Sequence, residues 1–112
     1  MKKDTAYLKH ILDETVFLAN ETENIDFEDL MDDEVLKRAC ARSLEIIGEA
    51  AKNLSPEFRK KNKDIEWTKI AGLRDKIIHH YFGIDWNIVW DILKNKTPKL
   101  KTHVEEILAK EV

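Results

Sequence analysis

At 112 residues, 43% of them hydrophobic and 37% charged, the chain has room for one domain with one core, 1–112, and is too short for a second. No run approaches the roughly 20 apolar residues of a membrane span, and the lysine-rich start lacks the apolar stretch of a signal peptide, so a soluble, cytoplasmic protein with no membrane partner is expected. The net charge of −3 hides an asymmetry: residues 1–57 hold 7 Lys/Arg against 14 Asp/Glu, a balance of −7, while residues 58–112 hold 12 against 8, a balance of +4.

Three glycines and two prolines leave little turn chemistry, and the remainder reads as successive helices. The first runs from about Asp4 to Asn20, with Asp4 as its N-cap and Tyr7, Leu8, Ile11, Leu12, Thr15, Leu18 and Ala19 on one face. A loop with one turn at Phe27 to Met31 follows, and its acidic residues, Glu21 to Glu34, read as a solvated connection rather than a metal site. The second helix starts after Asp32 or Asp33 and reaches about Leu54. Its apolar arc covers roughly half the circumference, so it needs neighbours on two sides. Cys40 lies on that arc as structural filler. Being the only cysteine, it excludes an internal disulfide and a zinc site built from several thiolates.

Ser55-Pro56-Glu57 signals a short helix to about Lys61, with serine as cap and proline at the first helical position. Asp64 is placed to cap the next helix, which carries Trp67 through His80 and ends near Phe82-Gly83, where glycine permits the left-handed conformation. Asp85 caps the last one. There Trp86, Val89, Trp90, Leu93, Thr97, Leu100, Val104, Ile107 and Leu108 keep one helical phase across Pro98, which predicts a kinked helix rather than two unrelated ones. Ile88 and Ile92 fall off that stripe and, with Phe17, form candidate patches for a homodimer. The predicted architecture is all-α: an antiparallel four-helix bundle with one additional short helix.

One residue breaks the pattern. At about 100° per residue, Arg74 falls near the centre of the apolar arc made by Trp67, Ile70, Ala71, Ile77, Ile78 and Tyr81. A guanidinium stays charged at ordinary pH and is costly to bury alone, so it requires a buried carboxylate, a partner surface or an anionic ligand. Glu49, bordering the arc of the second helix, is the carboxylate placed to reach it, and a structural ion pair is one reading of Arg74. The other is a phosphate site, favoured by Lys60, Lys61 and Lys63 before it and Lys94, Lys96, Lys99 and Lys101 after it. Their plainer reading is a solvated lysine face.

Arg74, His79 and Tyr81 fit the pattern R-x4-H-x-Y. Together with the Ile46-Ile47-Gly48-Glu49-Ala50 helix before it and the Tyr81-Phe82-Gly83-Ile84-Asp85 turn leading into Ile88-Val89-Trp90, this resembles the HepT-like toxins of the HEPN (higher eukaryotes and prokaryotes nucleotide-binding) superfamily. The likeness spans most of the chain. It departs at Asp75, where many HEPN proteins carry asparagine after the arginine. The resemblance implies the toxin of a type VII-like toxin–antitoxin pair, an endoribonuclease whose homodimer builds a composite cleft from an arginine and a histidine of each chain. It also implies that Tyr81 is the acceptor on which a cognate MntA-type nucleotidyltransferase antitoxin places adenylyl groups, silencing the toxin.

The residues suit such chemistry. On one straight helix Arg74 and His79 are about 140° apart, so a single chain does not face them squarely, whereas two copies across a twofold axis can. A histidine near its unperturbed pKa of about 6.5 can take a proton from a ribose 2′-hydroxyl or give one to the leaving 5′-oxygen, and arginine can hold the phosphate. Asp75, at i and i+4 to His79, either orients the imidazole or forms an ordinary helix-surface pair. His80 points about 100° from His79, so the two do not readily chelate a metal; it is counted with Asp75 as supporting, and no metal or other cofactor is expected. The alternative function is a non-catalytic nucleotide- or substrate-binding companion subunit of a minimal nucleotidyltransferase.

Overall fold

Leu8, Ile11, Thr15 and Leu18 recur at intervals of three and four and are all buried, which fixes the inward face of the first helix, α1 (Lys2–Thr22). The computed structural model describes the backbone of residues 2–80 and 83–110 and the side chains of 3–77 and 83–110. Asp4 is not the N-cap of α1, because the helix already begins at Lys2. Its buried carboxylate instead accepts the Ser55 N–H at 2.8 Å on Oδ1 and the Ser55 hydroxyl at 2.7 Å on Oδ2.

The acidic connection holds α2 (Phe27–Asp32), started by a reciprocal box: Asp26 accepts the Asp29 N–H at 2.8 Å and Asp29 accepts the Asp26 N–H at 3.0 Å. Asp33 then caps α3 (Glu34–Lys52) by accepting the Leu36 N–H at 2.9 Å. The wide arc of α3 is buried on both flanks, against α1 on one side and the segment after residue 66 on the other. The pairing of Asp4 with Ser55, and of Glu14 with Ser43 at 2.8 Å, shows α1 and the α3 region running antiparallel. Ser55 caps α4 (Pro56–Lys61) as its sequence signal predicts, its Oγ accepting the Phe58 N–H.

The segment predicted as one helix from Trp67 to His80 is helical only to Ile77. It comprises α5 (Trp67–Ala71) and α6 (Leu73–Ile77), with Gly72 between them. Gly72 keeps the helical bonding on both sides, donating to Thr68 O at 3.1 Å and accepting from Lys76 N at 3.0 Å. Residue Glu66, not Asp64, occupies the N-cap position, and it makes no side-chain cap bond. After Ile77 the chain turns into β1 (Ile78–His80), antiparallel to β2 (Gly83–Ile84), with Ile78 opposite Ile84 and His80 opposite Gly83. The Asp85 N–H donates to Ile77 O at 2.8 Å and ties off this hairpin. A run of β-branched and aromatic residues fits a pleated pair as well as a helix, and local pairing decides between them here. No glycine among the described residues has positive φ, so Gly83 serves as a strand residue and not as a left-handed helix stop.

Asp85 caps α7 (Trp86–Asp91), accepting from the Asn87 and Ile88 N–H groups. A π segment (Ile92–Lys96) then leads without a break into α8 (Thr97–Lys110). Pro98 has no N–H to offer, and just before it the Thr97 N–H bonds to Ile92 O, five residues back. The predicted phase holds, with Val89, Leu93, Thr97, Leu100 and Val104 buried. Ile92 is buried too, contrary to its predicted place off the stripe, because the wider π turn brings two successive residues inward. The fold is all-α: α1, α3 and α7–α8 are its long members, and α5–α6 stands where the fourth long helix is predicted. No helix among the described residues is long and apolar enough to cross a membrane.

Candidate functional site

Leu73 and Ile77, four apart, are the buried anchors of α6, which leaves Arg74, Asp75 and Lys76 facing outward. The Arg74 side chain is 69% exposed, so it does not sit in the apolar stripe. The predicted arc included Ile78 and Tyr81 as helical residues; once the helix stops at Ile77, the centre of the arc moves off Arg74 and onto the Leu73–Ile77 line. Its nearest carboxylate is Glu45 on α3, one turn before the predicted Glu49, with Arg74 Nε 3.9 Å from Glu45 Oε2. Arg42 Nη1 reaches the same oxygen at the same 3.9 Å. Two loose contacts from exposed arginines to one half-buried carboxylate contribute little, so Arg74 is not a structural ion held in the core.

The helix-to-strand change also separates Arg74 from His79. Arg74 and Asp75 lie on α6, while His79 and His80 lie on β1, so the helical angles relating Arg74, Asp75, His79 and His80 do not apply. The side chains of His79 and His80, and Tyr81 as a whole, lie outside the described residues. What fixes the segment is a close approach beneath it. A Cβ on Gly48 of α3 would lie 3.1 Å from Ile70 O and 3.4 Å from Ala71 O, so α3 and α5 touch backbone to backbone, and α6 is set in place from there.

The lysines around the motif divide by role. Lys94 is structural: its Nζ donates to Thr22 O at 2.6 Å and sits 4.8 Å from the centre of the Trp90 ring. Lys101 pairs with Glu105 at 3.4 Å. Lys96 and Lys99 are exposed and line a cleft of about 260 Å³ between α5–α6 and the C-terminal helix, together with Lys69, Lys76 and His103. The sequence reading did not single out those last three, because their proximity depends on the packing of α5–α6 on α8. Lys63 lies instead in a neighbouring hollow of about 310 Å³ beside Arg59 and Trp67. Arg59 is partly engaged, donating from Nη2 to Ala51 O at 2.7 Å. Neither hollow includes Arg74 or Asp75.

Among the described residues, two groups have displaced pKa values. Burial, with Glu21 and Asp33 adding to it, pushes the Cys40 thiol up to about 11, as suits inert filler. Glu66 is held below the ordinary carboxylate range by the hydrogen bond and charge of Lys69, at 2.7 Å, with Lys96 and Lys76 contributing.

Comparison with known proteins gives one family. The family model described as "Ribonuclease HepT-like" matches residues 8–107. A Caldanaerobacter subterraneus subsp. tengcongensis protein named "Putative RNase TTE0752" is 51% identical over 111 residues, 99% of each chain. A Methanocaldococcus jannaschii protein named "Putative RNase MJ0127" is 44% identical over 96% of this chain and 89% of its own. The "Probable ribonuclease HepT" of Thermococcus cleftensis is 39% identical over 90% of this chain and 92% of its own. No solved structure matches significantly. With a family model covering most of its length and full-length relatives well above 30% identity, the chain belongs to the HepT-like ribonuclease family of the HEPN superfamily.

Proposed function

We propose that this protein is a metal-independent endoribonuclease that works as a homodimer, with Arg74 and His79 of both copies forming one composite site. The observation that carries the reading is the exposure of Arg74. A guanidinium that is 69% exposed, its one ion pair among the described residues a 3.9 Å contact to Glu45, contributes almost nothing to folding and is available to take a phosphate in paired hydrogen bonds. A family described as ribonuclease supports RNA as the phosphate's source.

In the proposed reaction, His79 accepts the proton of a ribose 2′-hydroxyl as that oxygen attacks the adjacent phosphorus. The P–O5′ bond breaks and the 5′-oxygen leaves with a proton from the histidine of the other copy. One strand then ends in a 2′,3′-cyclic phosphate and the other in a 5′-hydroxyl. Arg74 stabilises the charge that builds on the non-bridging oxygens. Asp75, exposed beside Arg74 on α6, and His80 act in support.

As the toxin of a two-component pair, the protein is silenced when an MntA-type nucleotidyltransferase adenylylates Tyr81. Phosphate added within the same R-x4-H-x-Y motif repels the RNA backbone and competes with it for the guanidinium. Expression of the chain alone should arrest growth with cleavage of cellular RNA, and His79→Ala should abolish both. Tyr81→Phe should still cleave RNA but resist silencing by the partner and ATP, and mass spectrometry of wild-type protein made with its partner should show adenylyl groups on Tyr81. An unmodified Tyr81 in fully silenced protein removes that role. A chain that neither arrests growth nor cleaves RNA removes the toxin reading.

A further inference from the structure

The cleft between α5–α6 and the C-terminal helix is lined by side chains of both charges. Lys76 on α6, Lys96 at the end of the π segment and Lys99 in the first turn of α8 are exposed, and none pairs with a carboxylate among the described residues. Residues 64–70 add Asp64 and Glu66 to the lining, with Lys96 and Lys76 near enough to act on Glu66, and their one lysine, Lys69, is committed to Glu66 at 2.7 Å. Ile65, Ile70, Leu73, Ile92 and Leu100 supply the apolar part of the lining. The three unpaired cations come from three separate segments, and the π turn that ends at Lys96 is an irregularity of the kind that recurs at functional sites.

A purely acidic partner fits this arrangement poorly, because its carboxylates would meet Asp64 and Glu66 as like charges. A nucleotide fits both charges. Its phosphates are anionic, while its base is neutral and offers amino hydrogens that a carboxylate accepts. We infer that this cleft, which does not include Arg74, seats a two-nucleotide stretch of single-stranded RNA, with its three flanking phosphates on Lys76, Lys96 and Lys99 and a base edge toward Asp64 and Glu66. The inference rests on the ribonuclease reading and adds a substrate-holding site to it.

The test is fluorescence anisotropy with the full chain carrying His79→Ala, to prevent cleavage, and a labelled oligo(C) strand of about 12 nucleotides, within the span of ordinary single-strand sites. Combining Lys76→Gln, Lys96→Gln and Lys99→Gln should weaken binding at least about tenfold at moderate salt and reduce the slope of log Kd against log salt by about 2, as loss of three single-strand phosphate contacts requires. Because all three lysines are exposed, the helical circular dichroism should persist. Removing the same charge through Lys3→Gln, Lys9→Gln and Lys52→Gln, outside the cleft, should change binding less than about twofold. Equal effects of the two triple variants, or none from the cleft variant, overturn the cleft while RNA cleavage by the wild type leaves the ribonuclease reading intact. Absence of any RNA binding and cleavage by the unmutated protein overturns both. Polyglutamate binding that depends on the three lysines, with RNA binding unaffected by them, reassigns the cleft to an acidic protein and also overturns the inference.

Discussion

Arg74 carries the functional reading, and its surroundings set two separable expectations. Because it is exposed and only loosely paired with Glu45, Arg74→Ala should shift stability by no more than about 0.5 kcal/mol in a denaturant titration. The same variant should lose RNA cleavage. A large loss of stability would return Arg74 to a structural role. The feature on which the proposed role of this residue rests is legible in sequence, since an arginine among isoleucines five before a histidine stands out. Its burial is not, because the wheel that places it inward assumes a helix through Tyr81. Cys40 shows the reverse case: its place on the apolar arc is enough to predict inert filler, and the thiol is fully buried. Its folded pKa is pushed by burial to about 11, above the ordinary thiol value of 9.0. The folded chain therefore binds more protons than the unfolded one between those values, so this stability is complete below pH 9 and is lost as pH rises through 11. Cys40→Ala should flatten that alkaline decline relative to wild type, read as denaturant midpoint against pH. The wild-type thiol should resist alkylation at pH 8 until the protein is unfolded.

Between residues 66 and 85 the sequence reading and the structure part company, and the causes are local. Ile77-Ile78 and the aromatic pair after the histidines satisfy helical and extended patterns alike, and only the pairing of Ile78 with Ile84 and the bond from Asp85 to Ile77 select the hairpin. Elsewhere the side-chain caps at Asp33, Ser55 and Asp85 announce their helices correctly, since a cap is a short-range interaction that sequence records directly. Asp4 has the right chemistry for a cap but acts on Ser55, 51 residues away, and no local rule predicts such a partner. The approach of α3 to α5 at Gly48 is likewise a tertiary fact. Gly48→Val adds two branches where even a Cβ would lie 3.1 Å from a backbone carbonyl. A carbonyl in the next helix yields less readily than a flexible side chain, and valine brings little helix propensity to offset the overpacking. A loss of about 2–3 kcal/mol is expected, together with reduced RNA cleavage in the fraction that remains folded, because α6 is carried on α5. Unchanged stability would mean that α5 is not held at this point.

For the molecule as a whole, charge is the property most readable from sequence: the halves differ by sign, −7 against +4, and the basic half holds both the motif and the lysine-lined cleft. Which lysines remain available is not readable there, since Lys94 and Lys101 are engaged while Lys76 joins the cleft only through packing. The proposed reaction needs two copies, and that leads to a test at this scale. Arg74→Ala and His79→Ala chains, each inactive alone, should recover a small part of the activity when mixed and allowed to exchange, because a mixed dimer regains one arginine together with one of the two histidines, enough for either the base or the acid role while water serves in the other. Mixed dimers verified by size and found fully inactive would argue against a shared site.

The most direct measurement of the central claim is cleavage of a 5′-labelled single-stranded RNA by the purified protein in excess EDTA, with wild type and His79→Ala compared at equal folded concentration. Wild-type cleavage should persist in EDTA, its upstream products should end in 2′,3′-cyclic phosphate, and His79→Ala should not cleave. Cleavage that vanishes in EDTA and returns with a divalent ion, or that survives His79→Ala undiminished, would contradict the claim.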